Sequence, residues 1–220
     1  MQTKKFSELN ISREILKAIV EMGFEIATPI QSQAIPLLLE GKDIIGQAMT
    51  GTGKTVAFAI PAIEAVDPNI NKPQILILCP TRELATQVAL EIGKLSKFKE
   101  NIHELPIYGG QPIDRQIRAL KRGPQIIVGT PGRILDHLER KTISFNSIKT
   151  IILDEADEML NMGFVTDIET ILKSVPKERQ TVLFSATMSK TILNLTKKYQ
   201  RDPQLVKITH EKFSIPKIEQ

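Results

Sequence analysis

The stretch Ile44-Ile45-Gly46-Gln47-Ala48-Met49-Thr50-Gly51-Thr52-Gly53-Lys54-Thr55-Val56-Ala57 decides the fold. A short apolar run leads into a loop carrying Gly51 and Gly53, and helix-forming residues come after it. Glycine lets such a loop curl until several backbone N–H groups point at one spot. A helix opening at Gly53 adds the positive end of its dipole to that spot. Lys54 can reach terminal phosphates as a point charge, and Thr55 offers a hydroxyl to Mg²⁺. The stretch therefore reads as a cradle for a nucleoside triphosphate. Ala48 stands where the usual pattern opens with Gly, and a chance Gly-Lys-Thr in a surface loop is the competing reading of the match alone.

Outward from this stretch, apolar runs alternate with helix-like segments. The runs are Ile75–Cys79, Ile107–Tyr108, Ile126–Val128, Ile151–Leu153 and Thr181–Phe184. They are short, rich in Ile and Val, and not strictly alternating, which suits strands buried on both faces. Between them, Glu83–Ser96, Ile113–Lys121, Arg133–Glu139 and Phe164–Ser174 have helical spacing. The predicted fold is an α/β domain with a mostly parallel central sheet and helices on both faces. Two helices precede the first core strand, one capped by Ser12 and ended by Gly23, the other opening at Pro29. By physics alone Phe24 is a core aromatic and Gln31 a solvated helix residue.

Bulk composition narrows the class. The chain has 220 residues, 41% hydrophobic and 25% charged, enough to bury a core of one large domain. No apolar run reaches membrane-spanning length, and the first five residues lack the apolar centre of a signal peptide, so a cytoplasmic protein is expected. Cys79 is the single cysteine, and after Ile75–Leu78 a buried thiol is expected there. The net charge of +4 is segregated: residues 101–150 hold eight Lys/Arg and four Asp/Glu, whereas residues 151–185 hold three and seven. A basic region beside an acidic one suits a polyanion next to a metal site.

Ligands of a doubly wound sheet gather at the carboxyl ends of its strands. The residues just past each predicted strand are therefore informative: the phosphate loop; Pro80-Thr81-Arg82-Glu83; Gly109-Gly110; Thr130-Pro131-Gly132-Arg133; Asp154-Glu155-Ala156-Asp157; and Ser185-Ala186-Thr187. Asp154 can hold Mg²⁺ directly or through water, and Glu155 can orient or deprotonate an attacking water. The bland alternative has both acids capping the next helix. Ser185 and Thr187 either bond Asp157 or cap the helix after them.

Taken together these residues resemble the DEAD-box RNA helicase family of superfamily two, bacterial in type. Asp154-Glu155-Ala156-Asp157 matches the motif that names the family, and Ala48–Thr55 resembles its phosphate loop, in which Ala takes the opening place. Phe24 and Thr28-Pro29-Ile30-Gln31 resemble the adenine-reading Q motif, with Phe24 stacking on the base and Gln31 bonding its edge; Ala27 replaces a frequent Pro, and Phe6 matches the upstream aromatic. The resemblance implies a RecA-like P-loop domain that binds ATP and Mg²⁺, with Lys54, Asp154 and Glu155 catalytic. It implies that Pro80, Thr81, Arg82, Glu83, Gly109, Gly110, Thr130, Pro131, Gly132 and Arg133 grip RNA phosphates without reading bases. It further implies that Asp157, Ser185 and Thr187 couple hydrolysis to strand separation. Arg115, Arg118 and Arg122 either add charge to the RNA face or form an ordinary wet helix face.

The implied organisation is a first RecA-like domain over residues 1–207, with a Q-motif segment at 1–40 and a core at 41–207. Residues 208–220 would begin a linker to a second RecA-like domain that is absent from this sequence. That domain brings an arginine finger worth ~10³–10⁵ in rate, roughly 4–7 kcal/mol, so this chain alone is expected to hydrolyse ATP poorly. A clamp that holds RNA without hydrolysis is the rival reading, opposed by the intact Glu155. A guanine-nucleotide switch is opposed by Asn71-Lys72-Pro73-Gln74, which lacks the guanine-reading Asp. The preference for RNA over DNA rests on the resemblance.

Overall fold

The computed structural model describes residues 3–208. After a 3-10 turn at Phe6–Glu8 come α1 (Arg13–Glu21), α2 (Pro29–Leu39), β1 (Ile44–Gln47), α3 (Lys54–Glu64), β2 (Ile75–Leu78) and α4 (Arg82–Leu95). Next are β3 (Glu104–Ile107), α5 (Ile113–Leu120), β4 (Ile126–Gly129), α6 (Pro131–Glu139), β5 (Thr150–Leu153), α7 (Ala156–Asn161), α8 (Val165–Ser174), β6 (Gln180–Ser185), α9 (Lys190–Tyr199) and β7 (Gln204–Lys207). The strands form one sheet in the order β3-β4-β2-β5-β6-β1-β7. Every pairing is parallel, so the sheet is wholly rather than mostly so.

The continuous apolar runs are explained by burial on both sides. Ile44, Ile75, Ile77, Ile126 and Val128 face one core with α1–α4, while Ile45, Leu76, Leu78 and Ile127 face the other with α6–α9. Adjacent residues of a strand point to opposite faces, so two apolar layers demand an unbroken apolar strand. Gly46 is required by this packing. Its register partner is Phe184, and a Cβ at Gly46 would lie 2.3 Å from that ring.

The edges depart from expectation. β3 lies at Glu104–Ile107 rather than Ile107–Tyr108; it is an edge strand, where Pro106 is tolerated. β7, the other edge, escapes the sequence pattern because only Val206 is buried and Leu205 is exposed. Helices α7 and α9 are the helices expected to follow Asp154-Glu155 and Ser185–Thr187, though the sequence reading gave them no bounds; the first has only six residues. Ser12 occupies the position before α1 but makes no side-chain cap; its backbone N–H donates instead to Glu64 (2.7 Å). The expected linker at 208–220 lies, beyond Ile208, outside the described residues.

Candidate functional site

An all-parallel sheet sends every strand's carboxyl end to one edge, and strand order then decides which segments meet. The loop after β1, Ser185 at the end of β6, and Asp154 after β5 are neighbours, because β6 lies between β5 and β1. Pairing continues past the strands: Ala48 N donates to Ser185 O (3.1 Å) and Asp154 N to Leu78 O (2.9 Å). The segments after β3, β4 and β2 occupy the other half of the edge. The proposed nucleotide residues and the proposed RNA residues are thus separated along one rim.

In the loop, Gly51 and Gly53 hold φ of +79° and +88°, and Gly53 caps α3 in the left-handed region. Thr52 Oγ1 donates to Met49 O (2.7 Å), which closes the loop on itself. Thr28 and Gln31, at the start of α2, brace it. Thr28 Oγ1 donates to Thr52 O (2.9 Å), Gln31 Nε2 donates to Gly53 O (3.1 Å), and Gln31 Oε1 accepts from Thr28 N (2.8 Å). Gln31 is therefore buried against the phosphate loop, not solvated on a helix face. A Cβ at Gly53 would meet Gln31 Nε2 at 2.5 Å, so the brace itself calls for glycine.

Two charges stand out. Lys54 is buried, and its Nζ has no hydrogen-bond partner among the described residues. Asp154 is 2% exposed, and among the described residues its carboxylate accepts a hydrogen bond from the backbone N–H of Glu155 (3.0 Å). Burial pushes the Asp154 carboxyl up to about 6, against the opposing pull of Lys54, with Glu155 and Glu91 adding to the rise. An ammonium and a carboxylate this deep, attracting each other without a hydrogen bond between them, are costly unless a ligand completes them. Neither acid caps α7 through its side chain; Glu155 instead takes a left-handed backbone (φ +50°) at the turn off the sheet, a strained conformation for a non-glycine residue. Cys79, beside them, is fully buried, and burial raises its thiol pKa well above the ordinary range.

Asp157 is built differently. Its Oδ2 accepts from Thr187 N and Thr187 Oγ1, both at 3.0 Å, and Ser185 Oγ donates to Thr187 O (2.7 Å). Burial alone would raise this carboxyl, but the bonds from Thr187 and Ser185 outweigh it and hold it below the usual carboxylate range. The next helix is capped by Ser189, whose Oγ accepts from Ile192 N, so Ser185 and Thr187 are not its caps.

On the other half of the rim, Thr81 caps α4, its Oγ1 accepting from Leu84 N (3.2 Å), with Arg82 and Glu83 exposed and ion-paired beside it. Thr130 precedes α6 with no side-chain capping bond, and Pro131 fills the first turn. Pro80 is buried at the end of its strand, whereas Gly109, Gly110 and Gly132 are exposed. A cavity of about 760 Å³ runs along α4, lined by Arg82, Leu90, Glu91, Tyr108 and Gly110 and reaching Phe24. Phe24 is 44% exposed there rather than in the core.

A protein-family model described as DEAD/DEAH box helicase matches residues 28–195. The chain belongs to this helicase family. It is 55% identical over 98% of its length to an ATP-dependent RNA helicase CshA from Listeria monocytogenes, and covers 41% of that protein. It is 53% identical to the DEAD-box ATP-dependent RNA helicase CshA of Bacillus subtilis, covering 99% of this chain and 44% of that one. A crystal structure of a DEAD box protein from the hyperthermophile Methanococcus jannaschii aligns with TM-score 0.89 at 52% identity, covering 94% of this chain and 56% of that chain. The chain thus spans less than half the length of these curated relatives, and its fold is the RecA-like α/β fold of the helicase domain.

Three residues of this helicase domain escaped the sequence reading. Glu91 on α4 meets the Thr55 hydroxyl; burial raises its carboxyl, Lys94 and Thr55 oppose the rise, and its charge reaches Asp154. It carries no sequence signal. Gln116 and His137 are buried beside Arg133. Gln116 did carry a signal, because it occupies an inward position in the stripe Ile113, Gln116, Ile117, Leu120, where an apolar residue is the norm.

Proposed function

We propose that this chain is the ATP- and RNA-binding first domain, over residues 1–207, of a longer DEAD-box RNA helicase that couples ATP hydrolysis to local opening of short RNA duplexes. A single observation carries the nucleotide half: Lys54 and Asp154 are buried, oppositely charged and without side-chain partners at neighbouring positions of one sheet edge. A triphosphate with its cation supplies the charges that both lack. Backbone N–H groups of Met49–Gly53 and the Lys54 ammonium would hold the phosphates, Phe24, Thr28 and Gln31 the adenine end, and Thr55 with Asp154 the Mg²⁺. Mg²⁺ at that place neutralises phosphate charge. Glu155 would orient and deprotonate the attacking water. Gln31 grips Gly53 with one of its two amide hydrogens, so a second hydrogen and an Oε1 lone pair remain for a base edge, and the same side chain would tie base recognition to the shape of the loop.

The RNA half rests on the rim. The N-termini of α4 and α6 and the Gly109-Gly110 loop can offer backbone N–H groups and hydroxyls to phosphates, with no base contact and hence no sequence preference. Asp157, Ser185 and Thr187 join the segment after β5 to the end of β6, beside the phosphate loop, and would pass the state of the nucleotide along the edge. Among the described residues no helix is long and apolar enough to cross a membrane, and a cytoplasmic enzyme is the reading we adopt.

Phosphate release with and without RNA, measured on this chain and on the full-length protein, tests the proposal. RNA-stimulated turnover should be orders of magnitude higher in the full-length protein, and Glu155→Gln should cut it by ~10²–10⁴ while ATP stays bound. Equal turnover in the 220-residue chain would overturn the two-domain account.

A further inference from the structure

β3 ends at Ile107 opposite Gly129 of β4, so the loop after β3 and the start of α6 emerge side by side. What ties them is a buried side chain. Gln116, 3% exposed on α5, donates from Nε2 to Tyr108 O (2.9 Å), while its Oε1 accepts from Arg133 Nη1 (3.2 Å) and faces His137 Nε2 (3.0 Å). Arg133 Nη1 also donates to Gln111 O (3.0 Å), and its Nε lies 3.7 Å from Asp136.

These contacts fix the chemistry of each member. A flipped Gln116 amide would set NH₂ against the Arg133 donor and its oxygen against the Tyr108 carbonyl, so only one orientation is satisfied. With that oxygen facing it, His137 must carry its hydrogen on Nε2. In the neutral ring Nδ1 is then an acceptor for the Thr142 hydroxyl 2.7 Å away, whose single hydrogen also has the His137 carbonyl within reach (3.1 Å). Burial first, then the Arg133 charge, keep the imidazole's proton affinity below its ordinary value and so favour the neutral ring. Asp136 pulls the other way and Arg140 adds to the fall. The network is closed: Thr142, His137, Gln116, then Arg133 and Tyr108.

A fully apolar replacement of such a set can be as stable as the set itself, so stability alone does not call for a glutamine at this inward position. We propose that Gln116 and His137 are positioning residues for RNA binding. They hold the Arg133 guanidinium and lock the Tyr108–Gln111 loop to the N-terminus of α6, so that two phosphate-facing segments present as one rigid unit. The inference rests on the proposed RNA-binding reading of this rim.

The test is fluorescence anisotropy of a labelled oligouridylate titrated with this chain at low ionic strength. Thr130→Ala lies outside the network and tests the rim reading itself; unchanged RNA affinity in that variant would sink that reading. Given a loss there, Gln116→Met is expected to weaken RNA binding roughly tenfold, with affinity for a fluorescent ATP analogue within about twofold of the parent. In ¹⁵N spectra of the imidazoles, His137 should lose its fixed Nε2–H form in the same variant. Ile117→Ala perturbs the same helix without touching the network. RNA affinity lost equally in Ile117→Ala, or retained in Gln116→Met, would overturn the positioning role. Gln116→Glu keeps both acceptor bonds and serves if the methionine variant fails to fold. It should weaken RNA binding about threefold by setting a carboxylate against the Tyr108 carbonyl, and full affinity would overturn the loop-locking role.

Discussion

The two halves of one sheet edge handle buried polarity in opposite ways. Around β1 and β5, Lys54 and Asp154 are buried charges left incomplete: among the described residues Lys54 Nζ has no hydrogen-bond partner, and the Asp154 carboxylate accepts from the Glu155 backbone N–H. Around β3 and β4, Gln116 and His137 are buried, Arg133 is partly buried, and the three are joined by hydrogen bonds to one another and to two backbone carbonyls. Burial of unpaired charge costs several kcal/mol, whereas a satisfied network costs little. On the proposed reading, the difference separates residues that a nucleotide and its cation would complete from a scaffold that holds the RNA-binding rim in shape. It also predicts that substitutions in the two halves move function and stability in different directions.

The largest expected effect is on nucleotide binding. Lys54→Ala removes the ammonium from a site built around it and should weaken binding of a fluorescent ATP analogue by at least tenfold, roughly what loss of one charge-assisted bond to a phosphate brings. Because Lys54 pulls the Asp154 carboxyl down, the same variant should let Asp154 titrate above its present value of about 6, a shift readable by carboxyl ¹³C NMR. An Asp154 titration unmoved by the loss of Lys54 would break the pairing of these two residues.

Next in size is an opposition of sign in stability. Asp154→Asn should raise the melting temperature at pH 8, because folding lifts this carboxyl to about 6 and so costs the ionised parent about 3 kcal/mol relative to its unfolded chain. Gln116→Met should lower the melting temperature through a stability loss of roughly 1–3 kcal/mol, the cost of leaving the Arg133, His137 and Tyr108 groups unmet. Thermal melts of both variants sharpen the contrast; a shift of the same sign in both would end it.

The smallest effect is in the pH dependence. The Asp154 pKa is raised in the folded chain, so its contribution to stability is full below the ordinary carboxylate value and is lost as pH rises through about 6. The Asp157 pKa is lowered, so its contribution is present above the ordinary value and is lost as pH falls below it. Denaturant titrations across pH 3 to 8 should therefore show Asp154→Asn relieving the fall between about 4 and 6, and Thr187→Val relieving the acid-side loss. Identical pH profiles for parent and both variants would mean that neither carboxyl is held as described.

Much of this was legible in the chain. Strands buried on both faces write themselves as unbroken apolar runs, so β1, β2, β4, β5 and β6 could be read directly, while the half-exposed edges β3 and β7 were displaced or missed. The phosphate loop could be read because Gly51, Gly53 and Lys54 are local requirements of a local shape. Gln31 could not. Its solvated reading failed because the surface it covers belongs to Gly53, 22 residues away. Glu91 and His137 were silent for the same reason, and Gln116 signalled only that an inward helix position is polar: each matters through a partner supplied by another element.

Residue types and spacings alone determined that this chain builds an α/β sheet with chemistry at its strand ends, since periodicity and glycine placement act over a few neighbouring residues. Only the tertiary structure decided the strand order, and with it which ends are neighbours, which charges lie buried without partners, and which polar side chains are consumed in holding the rim together. Those are properties of contacts between distant segments, and hydrogen-bond satisfaction inside a packed core depends on where the partner sits in space, not on how far along the chain it lies.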